Sequence, residues 1–109
     1  MLIYKILRPS EWAAFGASGA FEGSRDDRRD GFIHCSSRDQ LTATASRIFG
    51  DEPMLVVVTL DADLLGATVR WEPSSSGELF PHVYGPISSE AVVASHRVRG
   101  AGEVDAQIP

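Results

Sequence analysis

Met54-Leu55-Val56-Val57-Val58-Thr59-Leu60 constrains the fold more than any other stretch of the chain. Its residues are β-branched or apolar almost without interruption, and the run is too short for a buried helix, so it is predicted as a strand. A strand apolar on both sides needs cover on both faces and belongs at the centre of a sheet. With 109 residues, 43% of them apolar, one domain with a single unstapled core is expected.

The other elements are read around that strand. Residues 2–7 alternate as a strand, with Ile3, Lys5 and Leu7 on one side and Leu2, Tyr4 and Ile6 on the other. Arg8-Pro9 breaks it, Ser10 is placed as a helix N-cap, and a short helix from Glu11 to about Ala17 presents Trp12 and Phe15 to the core, with Gly19 as its stop. Residues 20–30 read as a loop with one helical turn. Phe32–Cys35 reads as a strand. Ser37-Arg38-Asp39-Gln40 has the form of a capping box ahead of a helix to about Phe49, whose inner face is Leu41, Ala45, Ile48 and Phe49 and whose C′ residue is Gly50.

Beyond the central strand, Asp61–Gly66 is a capped single turn and Thr68–Glu72 a strand. Residues 73–77 form a flexible Pro/Ser/Gly loop. His82–Tyr84 is a proline-bracketed strand placed near an edge or a bulge. A turn at residues 88–90 leads to a last strand, Ala91–Val98, and a loosely ordered tail occupies 100–109. The fold class is α+β: about five or six short strands, largely antiparallel, with two main helices over residues 1–99.

The composition narrows function. The net charge is −5, and Arg25, Arg28 and Arg29 are interleaved with Asp26, Asp27 and Asp30. That stretch is a near-neutral polar loop, which argues against nucleic acid as a partner. No run reaches membrane-spanning length and no signal-peptide pattern opens the chain, so a cytoplasmic protein with no membrane partner is expected. Cys35 is the lone cysteine, which suits a reducing compartment.

Candidate chemistry gathers in two segments, Gly31-Phe32-Ile33-His34-Cys35-Ser36 and Phe80-Pro81-His82-Val83-Tyr84-Gly85-Pro86. Each places a histidine in an apolar strand, where it needs hydrogen-bond partners. His34 precedes a helix start, where the backbone N–H groups of Ser36 and Ser37 make a modest anion site. Tyr84 shares a strand face with His82 and can stack on a ligand or donate its hydroxyl. Trp71 and Glu72 form a third candidate: an indole wall beside a carboxylate whose pKa such a neighbour raises toward general acid or base use. Glu78 competes with Glu72 for that role. His96 reads as exposed and without a role. Cys35 and His34 point to opposite strand faces and do not form a nucleophile pair. No metal set is evident.

Ile3-Tyr4-Lys5-Ile6, the Trp12 helix, the two histidine segments, the valine strand and Arg70-Trp71-Glu72-Pro73 together resemble a family of small bacterial proteins known as domain of unknown function 952. The resemblance runs over roughly residues 2–98. It implies a fold distantly similar to that of the ADP-ribosyltransferases, which bind NAD between two small sheets. On that resemblance His34 and Glu72 are the catalytic candidates, and Tyr4, Lys5, Ser36, Trp71, His82 and Tyr84 the ligand-binding ones. Relatives often carry histidine where this chain has Lys5, which reaches a phosphate or a ribose hydroxyl as a point charge. Two functions follow: an ADP-ribosyltransferase-like enzyme acting on NAD or a related nucleotide, or a non-catalytic small-ligand or protein-binding module on the same fold.

Overall fold

The apolar run becomes β4 (Leu55–Asp61), the middle strand of an antiparallel sheet in which β1 (Leu2–Leu7) and β8 (Val92–Val98) flank it. The computed structural model describes residues 1–109. Alternation along β4 divides the interior into two layers. Val56, Val58 and Leu60, with Ile3 and Leu7 of β1, face a layer completed by Phe15, Phe21, Ile33, Val83 and Ile87. Leu55 and Val57, with Tyr4 and Ile6, face the other, which Leu41, Ala45, Val98, Val104 and Ile108 complete.

The first layer is closed by α1 (Pro9–Ser18) and two smaller antiparallel sheets. One pairs β2 (Ala20–Phe21) with β7 (Ile87–Ser88). The other has the order β3-β6-β5, from β3 (Ile33–His34), β6 (Leu79–Val83) and β5 (Val69–Pro73). Between them in the chain lie α2 (Arg25–Asp30) and the one-turn α4 (Ala62–Leu65). The second layer is closed by α3 (Leu41–Phe49) and α5 (Val104–Gln107). The α+β class with antiparallel sheets is thus observed, with eight strands and five α-helices where fewer of each were expected.

Most element positions follow the sequence reading, and the departures have local causes. Helix α1 begins at Pro9, which tolerates the first helical position because its missing N–H has no helical partner there. Its N-cap is therefore Arg8, not Ser10. Gly19 does end it, at φ 81°. Gly50 follows α3 with φ −58° and so is not a left-handed cap. Ile48 stands 48% exposed, while Leu41 and Ala45 are buried.

The expected loop at 20–30 is β2 followed by α2, and α2 has a reciprocal cap. Ser24 Oγ accepts from the Asp27 N–H at 3.2 Å, and Asp27 Oδ2 accepts from the Ser24 N–H at 2.8 Å. Residues 73–77 close a β-hairpin, with the Ser74 N–H donating to the Glu78 carbonyl at 2.8 Å.

The strand around His82 is not at an edge. β6 is central, and Pro81 is tolerated because its carbonyl points to β3, accepting from the Cys35 N–H at 3.1 Å. In an extended strand a residue's N–H and C=O point the same way, so the missing proline N–H costs no bond to β5. Residues 101–107 form a 3₁₀ turn and α5, which pack on the second layer. Val104 and Ile108 are buried, and Arg38 donates to the carbonyls of Asp105 and Ile108, both at 2.9 Å. His96 is half-buried, and its Nδ1 is sealed from solvent without a partner.

Candidate functional site

Strand β3 is only two residues long and would have a bare edge. His34 pairs with His82 of β6, but its own backbone groups turn away from that strand. The His34 N–H donates to Asp27 Oδ1 at 3.0 Å, and the His34 carbonyl accepts from Lys5 Nζ at 2.8 Å. Two side chains thus take the place of a neighbouring strand. A pair without mutual backbone bonds brings its side chains closer, and the two imidazole centroids lie 5.8 Å apart.

Asp27 is the hub of this arrangement and is 3% exposed. Lys5 Nζ lies 3.1 Å from Oδ1 and 3.0 Å from Oδ2, and His34 Nδ1 lies 2.7 Å from Oδ1. Burial by itself raises a carboxyl pKa. Here the His34 hydrogen bond, the Lys5 charge and the backbone N–H groups of Ser24 and His34 outweigh it and hold Asp27 well below the usual carboxylate range. Asp30 approaches the other ring nitrogen of His34, Nε2, at 3.0 Å. Its carboxyl is held low, chiefly by its hydrogen bond with Arg29. Ionised carboxylates only accept, so both contacts of His34 are hydrogen bonds at once only when each nitrogen carries a proton.

His82 has a separate frame. Its Nδ1 lies 2.8 Å from Glu72 Oε1, which also accepts from the Tyr84 hydroxyl at 2.7 Å. Phe32 stacks on the imidazole at 3.9 Å between centroids, and the Arg70 guanidinium lies over Tyr84. The hydrogen bond from Tyr84, then that from His82, lowers the Glu72 pKa. The same bond raises that of Tyr84.

A cavity of about 220 Å³ lies beside the histidine pair, with Tyr4, Lys5, Ser36, His34 and His82 in its wall. β1, α2, α3, β3 and β6 all contribute. Its charged lining is Lys5, Arg8, Arg29 and Arg47 against Asp26 and Asp27, a cation excess in an acidic chain. Arg8 pairs with Glu52 at 2.9 Å and Arg29 with Asp26 at 3.3 Å, whereas exposed Arg47 makes no ion pair. No three His, Cys, Asp or Glu residues converge as a metal set.

Several expected roles change. Lys5 is 7% exposed and committed to Asp27 and His34, so it positions the site from below. The N–H groups of Ser36 and Ser37 are taken by the Tyr4 carbonyl at 2.8 Å and Gln40 Oε1 at 3.0 Å, which removes the anion site drawn there. Trp71 pairs with Pro81 on the sheet face opposite that of Glu72 and His82, and is outside the cavity wall. Glu72 therefore has a lowered pKa, not the raised one expected beside an indole, and it meets the cavity only through His82. Glu78 is bonded to Gln40 Nε2 at 3.1 Å. Tyr84 does share a face with His82 but supports Glu72.

Asp27, Asp30 and Phe32, which hold the two histidines, and Arg47 in the cavity wall were not singled out from the sequence. The pattern Ser24-x-x-Asp27 is the signal that marks Asp27, since it has the form of a capping box.

Cys35 lies on the core side of β3, 3% exposed, and burial pushes its thiol pKa up to about 12. A thiol of this kind is expected to stay unmodified by a disulfide reagent at pH 8 in the native protein and to react fully on unfolding. Absorbance of the released thiolate with and without urea checks this.

The comparisons agree with this architecture. The profile of the family described as "Protein of unknown function (DUF952)" matches residues 6–95, and the chain belongs to that family. The crystal structure of protein CC0527 from Caulobacter crescentus is 42% identical, with a TM-score of 0.85 over 89% of this chain and 85% of that one. Its solution NMR structure gives 43% identity and a TM-score of 0.78 over 87% and 82%. No curated protein matches the chain. No helix is long and apolar enough to cross a membrane.

Proposed function

We propose that this family member binds a small anionic ligand of the nucleotide class in the cavity beside His34 and His82. The observation that carries the reading is Arg47, the one cation of the wall outside any ion pair: Lys5 is matched by Asp27, Arg8 by Glu52, and Arg29 by Asp26 and Asp30. A largely pre-formed concave site with a few convergent polar groups is the ordinary form of a small-molecule site. NAD, ADP-ribose and ADP are the ligands of first choice, and a cytoplasmic setting suits both them and the reduced thiol. The ligand-binding module is favoured over the transferase, because each carboxylate offered for ADP-ribose chemistry is already engaged: Glu72 by His82 and Tyr84, Glu78 by Gln40. ADP-ribose transfer on an ADP-ribosyltransferase-like fold is the second reading, supported by the convergence of Tyr4, His34, Ser36 and His82 on one cavity.

Thermal unfolding tests this. NAD, ADP-ribose or ADP at millimolar concentration is expected to raise the Tm of the wild type, since a ligand at 100 times its Kd adds about 2.7 kcal/mol. The shift is expected to disappear in Arg47→Glu, an exposed substitution. No shift with any of the three would sink the proposal. Release of nicotinamide from bound NAD would select the transferase reading, and binding without release the module.

A further inference from the structure

His82, a buried residue in the cavity wall, has a ring nitrogen that the rest of the protein leaves unused. Its side chain is 10% exposed, Phe32 covers one ring face, and Nδ1 is fixed on Glu72. Glu72 is ionised, with its pKa lowered by Tyr84 and His82, and an ionised carboxylate cannot donate. Nδ1 therefore carries the proton of the neutral ring, and Nε2 carries a lone pair. Nε2 has no partner within the protein and is not among the polar atoms sealed from solvent, while His82 stands in the cavity wall. Its neighbour His34 has no such atom to offer, because both of its ring nitrogens face aspartates.

A ligand matching this wall has an anionic group for the arginines and a hydroxyl donor for His82. The space limits its size. At about 220 Å³ the cavity is smaller than the roughly 300–1,000 Å³ that encloses a drug-sized ligand, so one end of a dinucleotide fits and the whole does not. We propose that the cavity holds a sugar phosphate, free or as one end of a nucleotide, with His82 Nε2 accepting from a sugar hydroxyl and the phosphate on the Arg47 side. This rests on the anion reading above and assigns the hydroxyl contact to His82. Glu72 and Tyr84 are positioning residues: they select the tautomer and aim the ring.

The full-length protein, ¹⁵N-labelled at histidine, is titrated with ribose 5-phosphate, inorganic phosphate and ADP-ribose in separate arms. Long-range ¹H–¹⁵N spectra are expected to show His82 as the Nδ1–H tautomer. The Nε2 resonance is expected to move with ribose 5-phosphate and to stay in place with inorganic phosphate. Ribose 5-phosphate is expected to bind at least about tenfold more tightly than inorganic phosphate, since a site built around a hydrogen bond discriminates against ligands lacking it. His82→Phe is expected to equalise the two ligands while keeping phosphate binding; if this variant does not fold, the wild-type spectra decide alone. Equal affinities with an unmoved Nε2, or an Nε2–H tautomer, would overturn the hydroxyl contact and leave anion binding standing. If ribose 5-phosphate, inorganic phosphate and ADP-ribose all fail to bind and neither NAD nor ADP raises the Tm, both readings fall.

Discussion

Replacing Asp27 with alanine is expected to cost about 3–5 kcal/mol of folding stability, the penalty for removing one partner of a buried ion pair. The substitution strands the Lys5 ammonium, which is 7% exposed, and orphans the N–H groups of Ser24 and His34 that Asp27 accepts from at 2.8 and 3.0 Å. Against a typical total of about 5–15 kcal/mol, this is a large fraction of the whole. Urea denaturation at pH 7 measures it. The double variant Lys5→Met/Asp27→Leu is expected to lose less than Asp27→Ala alone, because no charge is then left buried. A greater loss in the double variant would contradict this account of the pair.

The same carboxylate gives stability a pH dependence of fixed sign. Folded Asp27 holds a proton less readily than unfolded Asp27 does, so in acid the unfolded chain binds more protons and stability falls. The contribution is whole above the unfolded pKa of about 3.9 and is lost as the pH drops through and below it, at up to about 1.4 kcal/mol per pH unit. Asp27→Asn is expected to flatten the acid limb of the urea midpoint plotted against pH.

The second large effect concerns residues 100–109. Deleting them removes Val104 at 0% exposure and Ile108 at 4% from the second core layer. It also uncovers Leu41, Leu55 and Val98, which complete that layer with them. With about 1.5–3 kcal/mol for each fully buried aliphatic side chain, the truncated chain is expected to lose about 5 kcal/mol. A urea midpoint unchanged by the truncation would mean that the segment does not hold the core in solution.

These two places are also where the sequence was hardest to read, for different physical reasons. The Arg25–Asp30 stretch looks like a solvated charge run because its signs alternate. That Asp27 is buried depends on Lys5, 22 residues away, and local pattern does not report such a partner. The Ser24-x-x-Asp27 cap has the same local form as the Ser37-x-x-Gln40 cap, and both are present. In the tail, small and polar residues dilute the apolar ones. Ala101, Val104 and Ile108 nevertheless stand at helical spacing, and all three are buried.

β4 was legible because both of its faces are apolar, and its central position follows from that alone. The face shared by His82 and Tyr84 was legible from strand alternation. The same alternation sets Trp71 on the opposite face from Glu72, so the indole is no neighbour of that carboxylate. The engagement of Lys5 and the closed N–H groups of Ser36 and Ser37 depend on pairings between distant strands, which alternation does not specify.

Residue-by-residue ¹H–¹⁵N shift mapping of the full-length protein with ADP-ribose locates the ligand on the surface. The largest saturable shifts are expected on Tyr4, His34, Ser36, Arg47 and His82, around the cavity between β1, α3 and the histidine pair, with exposed Leu64 and Val93, outside the cavity wall, unmoved. Saturable shifts confined to residues outside the cavity wall, or none at all at millimolar ligand, would contradict ligand binding in the cavity.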